Sequence, residues 1–175
     1  MLNRILRAAR LDRTLYDELR DDPAATLQAL AIVVLAGIAY SISRTALPVA
    51  DADLQQAQVL LWGVSSAIVG WAILSLLAYW GGSSLLGREN LTYPQMLRTT
   101  GFASAPAILL LLGILSPEVG IVVIIVVFIW LVVSMMVALR QTLRITLLVS
   151  FWVTTLGLFL ALNILDLFAR PLGIS

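Results

Sequence analysis

Residues Thr99–Leu115 read TTGFASAPAILLLLGIL and follow a polar lead-in, LTYPQMLR, at Leu91–Arg98. Pro106 interrupts the apolar run, and Gly101, Ala103, Ser104 and Ala105 precede it. A proline inside a helix removes one backbone hydrogen bond and crowds the turn before it, so a kink or local unwinding is expected there. The small residues ahead of it let neighbouring helices approach and re-satisfy the freed carbonyl. The run is also short: a membrane helix needs about 20 apolar residues. Whether it crosses a membrane is decided by the rest of the chain.

The 175 residues are enough for one domain. Hydrophobic residues make up 61% and charged residues 12%, against about 45–50% and about 25% in soluble domains. A core of this size cannot hide that much apolar surface from water, so the solvent is expected to be lipid. With no Cys and no His, disulfides, thiolate chemistry, imidazole catalysis and the usual zinc or haem ligands drop out together. Every basic residue is Arg, which hints at a bacterial source. The first twenty residues lack the continuous apolar core of a cleavable signal peptide.

Five apolar stretches follow a short N-terminal segment, residues 1–22. Within it Leu2, Ile5, Leu6 and Ala9 share one helical face, and Arg4, Arg7 and Arg10 the other. Such a basic amphipathic helix, or pair of short helices, is expected to lie in the headgroup plane. Asp22 then suits an N-cap and Pro23 the first helical turn. The five-helix transmembrane domain is expected over 23–170, with spans at about 24–47, 59–80, 99–115, 121–139 and 145–168. Pro48 closes the first span and Gly81-Gly82 the second; Ser116–Gly120 is a tight turn, and Arg140–Arg144 a short basic connection. The fold class is therefore an all-α bundle of five membrane helices with a short amphipathic N-terminal helix.

An odd number of spans puts the termini on opposite sides. With the N-terminus inside, the inner segments carry Arg4, Arg7, Arg10, Arg13, Arg20, Arg88, Arg98, Arg140 and Arg144, and the outer ones only Arg44 and Arg170. That asymmetry predicts a cytoplasmic N-terminus and an outside C-terminus. Trp80 and Tyr93 fit an interfacial aromatic belt. No internal repeat is present, so an inverted-repeat transporter is not supported.

In lipid, helices associate through small residues and interhelical polar contacts. Gly37, Gly63, Gly70 and Gly157 are the expected close-packing positions, on the first, second and fifth spans. Arg44 on the first span and Asn163, Asp166 and Arg170 on the fifth reach a similar depth near the outer surface. They form a candidate polar cluster, either as an Arg44–Asp166 pair joined by Asn163 or, slightly preferred, as an Asp166–Arg170 pair or separately hydrated groups. A central membrane charge costs roughly 2.5–3.5 kcal/mol, and less near the surface.

Catalytic templates fail. No His–carboxylate–Ser set, phosphate-binding glycine loop or intramembrane carboxylate pair occurs. Asp51, Asp53 and Glu118 are loop residues whose expected role is solvated surface charge. No catalytic, cofactor or metal site is expected, and no nucleic-acid partner.

Tyr93-Pro94-Gln95-Met96-Leu97-Arg98, followed by Gly101-Phe102-x-x-x-Pro106, resembles the signature of the Yip family, the Ypt-interacting membrane proteins. Tyr16…Glu18-Leu19…Asp22-Pro23 and Trp130…Ala138-Leu139-Arg140 are similar to segments of bacterial members. The resemblance covers about residues 14–168. It implies a five-helix integral membrane protein with a cytosolic N-terminus, whose eukaryotic relatives bind Rab-type GTPases and act in vesicle traffic and membrane shaping. Here about 22 residues precede the first span and a Tyr-Gly-Pro-type motif is lacking, so GTPase binding is not expected. The expected function is non-enzymatic organisation of the bilayer or of partner proteins, itself included, in a bacterial cytoplasmic membrane. The alternative is a small transporter or lipid-translocating protein.

Overall fold

The computed structural model describes residues 1–45, 56–87 and 90–169. Two short helices, α1 (Leu2–Ala9) and α2 (Arg13–Asp21), precede α3 (Ala25–Thr45) and α4 (Gln56–Trp80). A π turn, Gly81–Leu85, extends α4. Then come α5 (Tyr93–Ala103), a 3₁₀ helix (Ala105–Ile114), α6 (Pro117–Leu143) and α7 (Leu147–Ala169). No strand occurs among the described residues.

Four segments are long and apolar enough to cross a membrane: Ala25–Arg44, Ala57–Ser84, Tyr93–Ile114 and Pro117–Leu143. The fifth expected span falls in α7, whose apolar stretch among the described residues, Leu147–Ala161, is shorter. The outer faces of α6 and α7 expose Ile121, Val122, Phe128, Ile129, Trp152 and Phe159. A large surface of this kind is stable against lipid and not against water.

Helix ends differ from the sequence reading for local chemical reasons. The third segment begins at Tyr93 rather than Thr99, because Thr92 and Gln95 form a capping box and Pro94 fits the first turn. The Gln95 Oε1 accepts the Thr92 N–H at 3.0 Å. Gly81-Gly82 does not stop α4, which runs on through the π turn. A Cβ on Gly82 would lie 2.6 Å from Leu143 and 2.7 Å from Leu91, so glycine serves close packing there. The fourth segment starts at Pro117, with the Ser116 hydroxyl accepting the Val119 N–H, and its helix extends through Arg140 to Leu143 instead of breaking into a connection. Arg144 ends it in the left-handed region, at φ 51°.

The N-terminal segment adds a docking contact that the sequence reading did not include. Of the two forms expected, one amphipathic helix or a pair of short ones, it takes the second. It is a helical hairpin, turned at Leu11 (φ 59°) and docked on the bundle. Leu15, Tyr16 and Leu19 of α2 are fully buried in the largest core cluster, with Ala25, Ala29, Phe102, Met135 and Ala138. Leu2 and Leu6 of α1 remain exposed. Three hydrogen bonds to α6 fix the hairpin: Tyr16 Oη with Ser134 Oγ at 3.3 Å, Trp130 Nε1 to the Ala9 carbonyl at 3.0 Å, and Gln141 Nε2 to Asp17 at 2.7 Å. Burial pushes the Tyr16 phenol up to about 12, so it stays neutral.

The hairpin's polar side holds its own ion network. Arg4 pairs with Glu18 at 2.7 Å and Asp22 at 2.8 Å, and Arg7 with Asp12 and Glu18, each at 2.8 Å. Hydrogen bonds from Arg7 and then Thr14 hold Asp12 down to about 2. Glu18 is lowered by Arg7 and Arg4, and Asp22 by Arg4. Carboxylates depressed on folding stabilise the hairpin fully above their unfolded values near 4 and lose that contribution as pH falls through the folded ones. The hydrogen-exchange protection of residues 1–22, taken relative to the intrinsic amide rate at each pH, is therefore expected to fall between about pH 4 and about pH 2. Protection unchanged across that interval would show that the network contributes nothing.

Candidate functional site

The α5–3₁₀ junction is assembled from both sides of Pro106. Without an N–H, Pro106 cannot bond back to Phe102, and the chain tightens: Ser104 N bonds to the Gly101 carbonyl, and Ala107 N to the Ser104 carbonyl at 2.9 Å. A 3₁₀ run of ten residues is unusually long. It also lengthens the segment. A rise of ~2.0 Å per residue there, added to ~1.5 Å in α5, carries Tyr93–Ile114 about 36 Å, enough for a hydrocarbon core of ~30 Å.

Gly101 and Phe102 sit in the centre of the fold. A Cβ on Gly101 would stand 2.6 Å from Ala29 Cβ and 3.2 Å from Trp71 Nε1. Phe102 and Pro106 are completely buried. Trp71 Nε1 donates to the Leu97 carbonyl at 3.0 Å and to Thr100 Oγ1 at 3.2 Å, and Ser75 and Thr100 share a hydrogen bond of 2.7 Å. Tyr93 Oη donates to the Ala72 carbonyl at 3.1 Å. Pro94 stands in the first turn of α5. The motif residues thus bring α5 against α3 and α4. Their polar atoms are consumed in packing.

Gly37 and Gly63 meet where α3 crosses α4: a Cβ on Gly37 would lie 2.9 Å from the Gly63 carbonyl oxygen, and one on Gly63 would overlap Ser41 Oγ. Gly157 faces Leu74 at 2.8 Å by the same measure. Gly70 is half-buried and lines a cavity of about 330 Å³. Gly37, Gly63, Ser104, Ala107 and Ala161 line the same cavity, so it borders α3, α4, the 3₁₀ helix and α7. Its walls are almost wholly apolar, and it lies beside the proline break.

Of the outer cluster, Arg44 and Asn163 have described side chains. Arg44 is half-buried at the end of α3. Asn163 is exposed on α7 and donates to the Phe159 carbonyl of its own helix at 2.7 Å. The Asp166 side chain and Arg170 lie outside the described residues, as do Asp51 and Asp53 of the first loop.

Sequence reasoning passed over the hairpin anchors Tyr16 and Trp130 and the role of Arg98. The Arg98 guanidinium donates to Thr26 Oγ1 and to the Arg20 carbonyl, both at 2.9 Å, tying α2 and α3 to α5. The spacing of Leu15, Tyr16 and Leu19 on one face was the available signal for α2. Nothing local marks Arg98, whose partners are distant in sequence. Among the described residues no group of three or more acidic, His or Cys side chains could hold a metal ion.

No curated protein and no solved structure gives a significant match. A family model does match: the Yip1 domain, over residues 12–167. That range takes in α2 as well as the apolar bundle, and the motif around Gly101 lies inside it. The chain is a multi-pass membrane protein and belongs to the Yip1 domain family.

Proposed function

We propose that this protein is a non-enzymatic organiser of the membrane, acting by binding lipid, other membrane proteins or copies of itself. In this reading five helices cross a bacterial cytoplasmic membrane, 23–170 form the membrane domain, and the N-terminus is cytoplasmic with the C-terminus outside. Rab-type GTPase binding is not part of it. The observation that carries the reading is the fate of the buried polar groups. Thr99, Thr100, Ser75, Ser41 and Thr142 bond to backbone carbonyls or to one another, and the buried hydroxyls without a partner among the described residues are those of Ser43 and Thr154, on different helices. The polar chemistry gathers at the hairpin end. Crosslinking in native membranes, followed by identification of partners, tests the proposal. Reproducible recovery of membrane-protein partners or of the homo-oligomer supports it; no protein adduct together with transport activity in liposomes overturns it.

The apolar cavity beside Ser104 and Ala107 favours a second reading, lipid translocation past the proline break. Its lining would suit an acyl chain and not a hydrated solute. Purified protein in liposomes would then scramble a labelled phospholipid. Scrambling no faster than in protein-free liposomes would remove this reading.

A further inference from the structure

The walls of the cavity beside the proline break run in one direction. Ser104, Ala107 and Leu110 line it. A spacing of three stacks side chains in a straight row only where the helix has three residues per turn, and Ala105–Ile114 is such a helix. The tight turn that Pro106 imposes thus aims this row at the cavity. On α4 the facing row is Gly63, Ala67, Gly70 and Leu74, the spacing of one α-helical face. Small side chains in both rows leave the space between them. At ~1.5 Å per residue, Gly63 to Leu74 spans about 16 Å, so the cavity is a slot along the helix axes.

The two ends of the slot differ. Leu74 and Met135 line it and are buried in the central core cluster with Leu19 and Phe102, so that end is a packed floor. Tyr40 and Phe128 line it and are exposed, so they mark a mouth on the lipid-facing surface. Tyr40 stands between one and two turns from the end of α3 at Thr45, on the side of the bundle away from the hairpin. The polar groups in the wall are engaged. Ser66 Oγ donates to the Gly63 carbonyl and Ser104 Oγ to the Thr100 carbonyl, both at 3.2 Å, and Trp71 Nε1 is bonded to α5. Water there would find few of the two to four polar partners it needs. An empty slot of about 330 Å³ would forfeit dispersion contacts along its whole lining. An apolar cavity of about 150 Å³ already takes up benzene.

We propose that the slot holds one acyl chain of a bilayer phospholipid from the leaflet opposite the hairpin, with the methyl end on Leu74 and Met135 and the ester end at Tyr40. Bilayer acyl chains are the molecules already in contact with the mouth. A long, narrow, dry slot suits such a chain and not a compact polar solute. The Tyr40 ring has an apolar body and a polar tip, as the boundary between chain and glycerol requires. Because the floor is packed, the slot retains a chain, and carrying it to the other leaflet would require the core to open. The proposal rests on the lipid-binding part of the organiser reading and deepens it by naming what is bound.

The test is photocrosslinking of the full chain in phosphatidylcholine liposomes that contain phosphatidylcholine with a diazirine at the methyl end of one acyl chain. Adducts are mapped by peptide mass spectrometry. They are expected on Leu74 and Met135, which are buried from bulk lipid, as well as on the exposed Val126 and Leu156. Moving the diazirine next to the ester should move the inner adducts to Leu110, near the mouth. Ala107→Phe and Ala161→Phe fill the slot from two walls and should abolish the Leu74 and Met135 adducts while leaving those on Val126 and Leu156. Val122→Phe adds bulk to the lipid-facing surface instead and should label as wild type. Adducts confined to exposed residues of the wild-type protein would overturn the site, whatever the variants do. Undiminished Leu74 and Met135 adducts in both filled variants would overturn it as well. Floor labelling by a diazirine fatty acid but not by the phospholipid would overturn the phospholipid assignment. Protein partners and scrambling are scored in separate experiments, so failure here leaves those results standing.

Discussion

Replacing Tyr16 by alanine is expected to lower the thermal midpoint in detergent by roughly 6–20 °C and to open residues 1–22 to protease. Tyr16 is fully buried and is among the largest side chains of the core, and deleting a buried aromatic costs about 3–5 kcal/mol. For a chain of this size each kcal/mol moves the midpoint about 2–4 °C. Tyr16→Phe separates packing from hydrogen bonding. It keeps the ring and loses only the 3.3 Å bond to Ser134, so its expected cost is about 0.5–1.5 kcal/mol. Were Tyr16→Ala no worse than Tyr16→Phe, α2 would not be part of the core.

Gly101→Val is the second large effect. Its Cβ would meet Ala29 Cβ at 2.6 Å and Ala29 Cα at 3.2 Å. Neither atom can swing away, because both are fixed to the α3 backbone. The helices must part, at about 1–3 kcal/mol for overpacking, and parting them also strains the Trp71 bonds to Leu97 and Thr100. The clash can be relieved from the other side. Gly101→Ala combined with Ala29→Gly exchanges one methyl across the interface, and the double variant should be more stable than the sum of the singles by about 0.5–3 kcal/mol. Strict additivity, measured by unfolding of all four proteins, would show that the two positions do not touch.

These two positions mark the boundary of what the sequence makes legible. Gly101 could be read because lipid makes small residues and a proline informative: in a run this apolar, Gly, Ser and Pro stand out, and their effect on close packing is local. The apolar stretches were legible for the same reason. Helix ends were less so. Gly81-Gly82 looks like a stop, yet packing against Leu143 and Leu91 overrides glycine's weak propensity. The capping box at Thr92–Gln95 was present in the sequence, but a polar lead-in so close to a span reads as loop. Tyr16 was hidden differently. Arg, Asp and Glu surround it, and that surface face suggested a helix at the headgroups. Burial depends on Ser134 and Trp130, more than a hundred residues away, and on an ion network that consumes the hairpin's own charges.

The central claim is an odd number of membrane crossings, with the docked hairpin on the inner side. The chain has no cysteine, so single substitutions report without background. Thr14→Cys, Gly87→Cys, Glu118→Cys and Ser175→Cys can each be challenged in intact cells with a membrane-impermeant maleimide. The account predicts labelling at 118 and 175 from outside, and at 14 and 87 only after the membrane is opened. Residues 14 and 175 labelling from the same side would mean an even number of crossings and would contradict it.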